Sequence, residues 1–195
     1  QEFYESLKEA ALLLDYVKTK LPEKIASFSE GIESYVREWY KADQYYRRFI
    51  QLFRKTNQNR VLEPLAQKIE KVYSNHWLLS LNNKWQSVIN SMDKWDTPNR
   101  YAQHRFFNNY VKPVIGKGQR LFVIVTDGLR YECGEEYVKI LSKEQRYDSS
   151  LKYAFTSLPS YTQLGMAALL PHKSIEISEK SDAVKVDGFP ASGLA

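Results

Sequence analysis

A chain of 195 residues, 43% hydrophobic and 26% charged, is long enough to bury a real core as one large domain or two small ones and has a globular composition. No apolar run reaches the length needed to span a bilayer, the first residues lack a signal pattern, and the single cysteine, Cys133, excludes an internal disulfide; a cytoplasmic protein with no membrane partner is expected. The net charge of +5 resides in residues 1–115, which carry 18 Lys and Arg against 13 Asp and Glu, whereas residues 116–195 carry 10 of each sign. That modest basic excess favours weak attraction to polyanions.

Residues 1–115 have helical periodicity almost throughout. A helix is expected over 3–20, and Ser27 with Glu30 has the spacing of a capping box opening a second. There Ile32, Val36, Trp39, Asp43, Tyr46, Ile50 and Phe53 follow three- and four-residue steps. After the break at 57–59, Pro64 suits the first turn of a helix carrying Leu78, Leu81, Trp85, Val88, Met92 and Trp95. A last helix is expected over 99–111, bracketed by Pro98 and Pro113. This grammar describes a helical bundle or hairpin.

At Gly116-Lys117-Gly118 the pattern changes. Residues 121–126 are wholly apolar and end at Asp127, as a strand buried on both faces of a parallel sheet would. A helix over 131–142, a weaker strand near 153–156, a loop at 157–161 and an apolar helix over 162–170 follow. Short strands are expected at 173–177 and 184–186, and then a tail with no further strand. This order predicts an α/β domain with a mainly parallel sheet over 116–195. So few strands would leave the sheet incomplete, and a truncated domain is expected.

Ligand sites in such sheets lie beyond the carboxyl ends of the strands, where Asp127 falls. Asp127 is therefore a candidate metal ligand or nucleophile, with helix capping as the alternative. Ser157, Ser160 and Thr162 lead into a helix with small residues Gly165, Ala167 and Ala168, which suit close packing on a sheet. A hydroxyl at that helix start meets free N–H groups and a positive dipole end, an environment for an alkoxide or a phosphate; each is also an ordinary cap. Taken together, the carboxylate and the hydroxyl have the parts of a metal-assisted hydrolase.

Ile124-Val125-Thr126-Asp127-Gly128-Leu129-Arg130-Tyr131-Glu132, with Leu158-Pro159-Ser160-Tyr161-Thr162-Gln163-Leu164-Gly165-Met166-Ala167-Ala168-Leu169-Leu170-Pro171, resembles the PglZ family of bacterial BREX phage-defence systems, members of the alkaline phosphatase superfamily. Residues 186–193 are similar to the next family block, so the resemblance covers roughly 118–195. It implies a metal-dependent phosphatase or phosphodiesterase with Asp127 as a metal ligand and Thr162 as the nucleophile that also coordinates metal. The implied cofactor is a divalent metal, zinc or alternatively manganese, whose other ligands lie beyond this chain. The implied partners are other BREX proteins.

Arg130 with Glu132 reads as a solvated salt bridge, and Cys133 as a small buried residue. His76, His104 and His172 are scattered and lack zinc-finger spacing. Tyr45-Tyr46-Arg47-Arg48-Phe49 with Arg54-Lys55 mixes rings and cations as nucleic-acid surfaces do, so DNA is a candidate partner of the basic half, although core aromatics with outward arginines explain the pattern too. An alternative to catalysis is a scaffold that docks defence proteins or DNA through its helices. An aspartate-nucleophile phosphatase is disfavoured by Leu129 two places after Asp127, and Gly116-Lys117-Gly118 lacks the Walker spacing.

Overall fold

A computed structural model describes residues 1–95, 101–178 and 181–191. Pro98 and Asn99, where the last helix of the first half was expected to begin, and residues 192–195 of the tail lie outside the described residues. Contacts divide the chain into two compact units, Gln1–Lys94 with Arg130–Ser149 and Trp95–Leu129 with Ser150–Ala195. That division follows a different line from the 115/116 boundary read in the sequence.

In the first unit, α1 (Glu2–Lys20) is followed by Ser27, whose hydroxyl accepts the Glu30 N–H at 3.2 Å and caps α2 (Phe28–Ser34). The returning half of the box is displaced by one residue: Glu30 accepts from the Ala26 N–H at 2.8 Å. A π-helical turn (Tyr35–Trp39) carries α2 directly into α3 (Tyr40–Lys55). The second series has the same construction, with α4 (Asn59–Lys71), a π-helical turn (Val72–Leu78) and α5 (Leu79–Asn90). Pro64 sits inside α4, beyond the first turn where it was expected. Each π turn adds a residue to the cycle and rotates the apolar stripe. The buried line is consequently Ile69, Tyr73 and Trp77, and Leu78 is only half-buried.

Leu13, Ala42, Phe49, Ile69 and Trp77 form the centre of this core, with α1 lying along α3. The ring of Tyr16 meets Trp77 edge-on at 5.6 Å, and its hydroxyl donates to the Glu38 carbonyl at 2.8 Å. The helix after Asp127, α7 (Tyr131–Leu141), packs on α3 through charge. Arg47 and Arg48 grip Glu136 at 2.7 and 2.6 Å, and Arg47 and Arg130 lie 3.7 and 3.8 Å from Glu132, which is fully buried. The expected solvated Arg130–Glu132 pair is thus half interior, and Arg47 and Arg48 serve the fold instead of facing only water.

In the second unit, a 3₁₀ turn (Gln103–Arg105) and a π-helical turn (Phe107–Val111) lead into α6 (Lys112–Ile115). The helix passes Pro113, which was expected to end it: Pro113 is the second residue of α6 and follows the π-helical turn directly. Residues 119–126 carry no regular secondary structure, and Phe122 and Ile124 are 84% and 87% exposed. The strand expected at 153–156 is reduced to one parallel bridge, Ala102 to Phe155. Beyond α8 (Thr162–Leu169), β1 (Ile175–Ile177), β2 (Val184–Val186) and β3 (Phe189–Pro190) form an antiparallel sheet in the order β1-β2-β3.

The mainly parallel sheet is therefore corrected, as is the tail without a strand. Asp187 (φ 50°) and Gly188 (φ 83°) both adopt left-handed backbone between β2 and β3, the two-residue turn that folds a chain back antiparallel. The Asp187 carboxylate ties this turn to the entry of β1, accepting the Lys173 and Ser174 N–H groups at 2.8 Å each. A run apolar on both faces needs neighbours on each edge and cover above and below. No strand among the described residues supplies them to 121–126. No helix of the described residues is long and apolar enough to cross a membrane.

Phe49 is fully buried and Phe122 is not, so equal truncations should differ. Phe49→Ala is expected to lower unfolding free energy by about 3–5 kcal/mol. Phe122→Ala should stay within about 0.5 kcal/mol. Urea unfolding of the two variants checks the contrast.

Candidate active site

Helix α8 starts at Thr162, with Tyr161 as the capping residue in extended backbone (φ −147°, ψ 157°) and no side-chain cap. Leu164, Ala167 and Ala168 are buried, and Leu164 and Ala167 share a cluster with Val184 of β2, flanked by Tyr161, Ile175 and Val186. The expectation of small residues pressing a helix on a sheet holds, with the sheet antiparallel. Tyr161 anchors the helix start by donating to the Asp182 carbonyl at 3.1 Å. The first intrahelical bond runs from the Gly165 N–H to the Tyr161 carbonyl at 3.0 Å.

Thr162 is thus the first helical residue and does not cap α8. It is exposed, and its hydroxyl has no hydrogen-bond partner among the described residues. Asp127 does not cap α7 either, since Arg130 holds that position. Asp127 precedes Gly128, whose φ of 71° turns the chain, and its exposed carboxylate also lacks a partner among the described residues.

Both residues line one cavity of about 400 Å³. Val125, Thr126, Asp127 and Gly128 form one part of its wall, and Ser160, Thr162, Gly165 and Met166 another. Of the three hydroxyl candidates, Ser160 and Thr162 reach it, and Ser157 is not among its lining residues. Gln103 and Thr156, which sequence reasoning did not single out, also line it. The Gln103 side-chain oxygen Oε1 accepts from the Thr156 hydroxyl at 3.3 Å and the Ser157 N–H at 3.4 Å, so it holds the loop before α8. No local signal marks Gln103; it reaches the loop through the Ala102–Phe155 bridge.

No group of three or more His, Cys, Asp and Glu suited to a metal ion occurs among the described residues. His172 uses Nδ1 against the Leu170 carbonyl at 2.7 Å, and His76 is exposed. Cys133 is half-buried. Burial holds the His104 imidazole below the ordinary histidine value, assisted by positive Arg105 and His172. The folded state favours neutral His104, so between its depressed pKa and the ordinary 6.5 the unfolded chain binds more protons. Stability contributed by this group should rise with pH through that window. An NMR titration is expected to place the His104 midpoint below 6.5, and a midpoint above it would contradict the burial assigned here.

Comparison with known proteins gives a consistent picture. Residues 106–195 match the PglZ family, described as the BREX system PglZ alkaline phosphatase-like domain. The chain is 36% identical over 203 aligned positions to the alkaline phosphatase-like protein BrxZ of Escherichia coli O9:H4 (strain HS), covering 98% of this chain and 23% of that protein. It is 33% identical over 162 positions to the alkaline phosphatase-like protein PglZ of Bacillus cereus (strain H3081.97), covering 82% of this chain and 19% of that one. The chain therefore spans about a fifth of the length of these curated relatives. No solved structure matches it significantly.

Proposed function

The chain belongs to the PglZ family, and from that premise we propose that it supplies the nucleophile and one metal ligand of a metal-dependent phosphatase or phosphodiesterase in a bacterial BREX phage-defence system. The observation that carries this reading is one cavity lined by an unpartnered carboxylate, Asp127, and an unpartnered hydroxyl, Thr162. Two hard oxygen donors suit part of a divalent-cation site. No third acidic or histidine ligand joins them among the described residues; in this reading a longer protein supplies the remaining ligands, and its location is the cytoplasm. The bound ion, zinc or alternatively manganese, would lower the pKa of the hydroxyl and offset charge on the phosphate.

The chain's own contribution follows from its geometry. Thr162 stands at the positive end of α8, whose first intrahelical bond runs from the Gly165 N–H to the Tyr161 carbonyl. A phosphate seated there meets backbone donors while Thr162 Oγ1 faces phosphorus. The Oγ1–P bond forms as the bond to the leaving oxygen breaks; the hydroxyl proton passes to solvent, and the departing alkoxide is protonated from water. Water then attacks the phosphothreonine and restores the hydroxyl. Gln103 positions the loop that presents Ser160 and Thr162 and takes no proton.

With the full-length protein, a chromogenic phosphate mono- or diester should be turned over with zinc or manganese, and a chelator should abolish the activity. Thr162→Ala is expected to reduce kcat by about 10²-fold or more. Asp127→Asn should shift the metal concentration needed for half-activity upward. Undiminished turnover in Thr162→Ala rejects the nucleophile assignment.

A second reading, a scaffold that docks other BREX proteins or DNA through its helices, rests on a groove of about 500 Å³ in the first unit. Tyr46, Arg47, Arg54, Lys55 and Arg130 line it. Since Arg47 is engaged by Glu136 and the exposed Arg130 lies 3.8 Å from Glu132, exposed Arg54 and Lys55 are the cations tested against a phosphate backbone. In fluorescence anisotropy with duplex DNA, replacing both by alanine should weaken binding and reduce the salt slope by about two. DNA binding unchanged by that double substitution removes DNA from this reading.

A further inference from the structure

The first unit contains a second cavity, of about 340 Å³, unrelated to the phosphatase reading. Its aromatic wall is built by both π-helical turns, with Tyr35 and Trp39 from the first and Trp77 from the second, and Trp85 added by α5. π turns concentrate at functional sites because they cost regularity and re-aim side chains. Asp43, one turn beyond Trp39, also lines the cavity and is 6% exposed.

Asp43 is unusual for a carboxylate in such surroundings. Its oxygens accept from two phenols, Tyr35 at 2.6 Å and Tyr73 at 2.9 Å. No ion pair joins it to a Lys, Arg or His among the described residues, whereas the other buried acids beside α3, Glu9 and Glu132, each have an arginine. Burial pushes both phenols well above their ordinary range, and the negative charge of Asp43 adds to the effect, so they remain donors. A buried charge is costly unless it is matched, and two neutral donors match it only in part. Arg130 acts on Asp43 only through space, without an ion pair to it among the described residues, so what Asp43 lacks is a positive charge in contact, and an opening lined by indoles is suited to receiving one.

We propose that this cavity binds an organic cation of the alkylated ammonium class, with its charge toward Asp43 and its methyl groups against Trp39, Trp77 and Trp85. Aromatic walls select weakly hydrated ammonium over sodium or potassium, since those ions would surrender water for poor ligands. The volume accommodates a choline-sized group. Gly31 keeps the opening in shape: a Cβ there would lie 2.5 Å from Trp85 Cζ3 and 3.1 Å from Ile25 Cγ2, so any side chain displaces the indole.

The test uses the whole chain, intrinsic tryptophan fluorescence and two isosteric probes, choline and the neutral 3,3-dimethyl-1-butanol, at constant ionic strength. Choline should give a saturable change, and the neutral isostere at least about tenfold weaker binding, equivalent to about 1.4 kcal/mol. Asp43→Asn should erase that preference, and Trp85→Leu should weaken choline binding with circular dichroism unchanged. Equal affinity for both probes would identify an ordinary apolar cleft and overturn the proposal. No saturable response to choline in the folded wild-type chain would overturn it as well. The wild-type comparison decides the matter even if Asp43→Asn fails to fold.

Discussion

The candidate active site depends on how closely α8 approaches the hairpin beside it. Leu164, Ala167 and Ala168 are buried, and Val184 of β2 closes against Leu164 and Ala167. Alanine lets backbone come near backbone, so the start of the helix has little freedom to tilt. A larger side chain at Ala167 or Ala168 would overpack the contact, at a cost of about 1–3 kcal/mol, and lift the helix. Thr162 would move with it, and for a residue in the proposed role of nucleophile a displacement of about 1 Å can cost two orders of magnitude in rate. The carboxylate's place is set differently, by the turn at Gly128 instead of by packing.

The helical unit is organised by charge as much as by its apolar centre. Burial pushes the Glu136 carboxyl up, but hydrogen bonds from Arg47 and Arg48 outweigh it and leave it below the ordinary value. Glu132 is reached by Arg47 and Arg130 only at 3.7 and 3.8 Å, and neither of its oxygens has a hydrogen-bond partner among the described residues. Its attraction to the arginines offsets a desolvation cost without clearly exceeding it, as is common for interior ion pairs. The pattern fixes how α7 lies on α3, because removing an arginine would strand an acid in the interior. Through Arg48, which also reaches Glu9 at 3.7 Å, the same lattice extends to α1.

Much of this was legible in the sequence where a periodic signal acts alone. The helix over 3–20, the Ser27 cap, the helix after Arg130, and the short strands near 175 and 184 follow from spacing and caps, which are local. The apolar stripe in α4 and α5 was misplaced at Leu78 because a π turn changes the period without any residue type that announces it. Pro113 was given the meaning of a stop, whereas the helical run continues through it to Ile115. The antiparallel sheet was hidden for a different reason: Asp187-Gly188 is a strong hairpin signal, but the strand after it is two residues long and one of them is proline. At the candidate site, Asp127 and Thr162 line one cavity. Gln103 and Thr156 join it through tertiary contacts that leave no trace in local pattern.

The stretch from Leu121 to Val125 has a bearing on how the chain behaves in a test tube. Five consecutive β-prone, uncharged side chains lie at the surface, uninterrupted by proline and unblunted by lysine, which is the composition of a cross-β nucleating segment. At high concentration, two such copies gain more by zipping together than by facing water. Turbidity and fibril formation should therefore set the upper limit on handling this polypeptide, ahead of loss of its helical core.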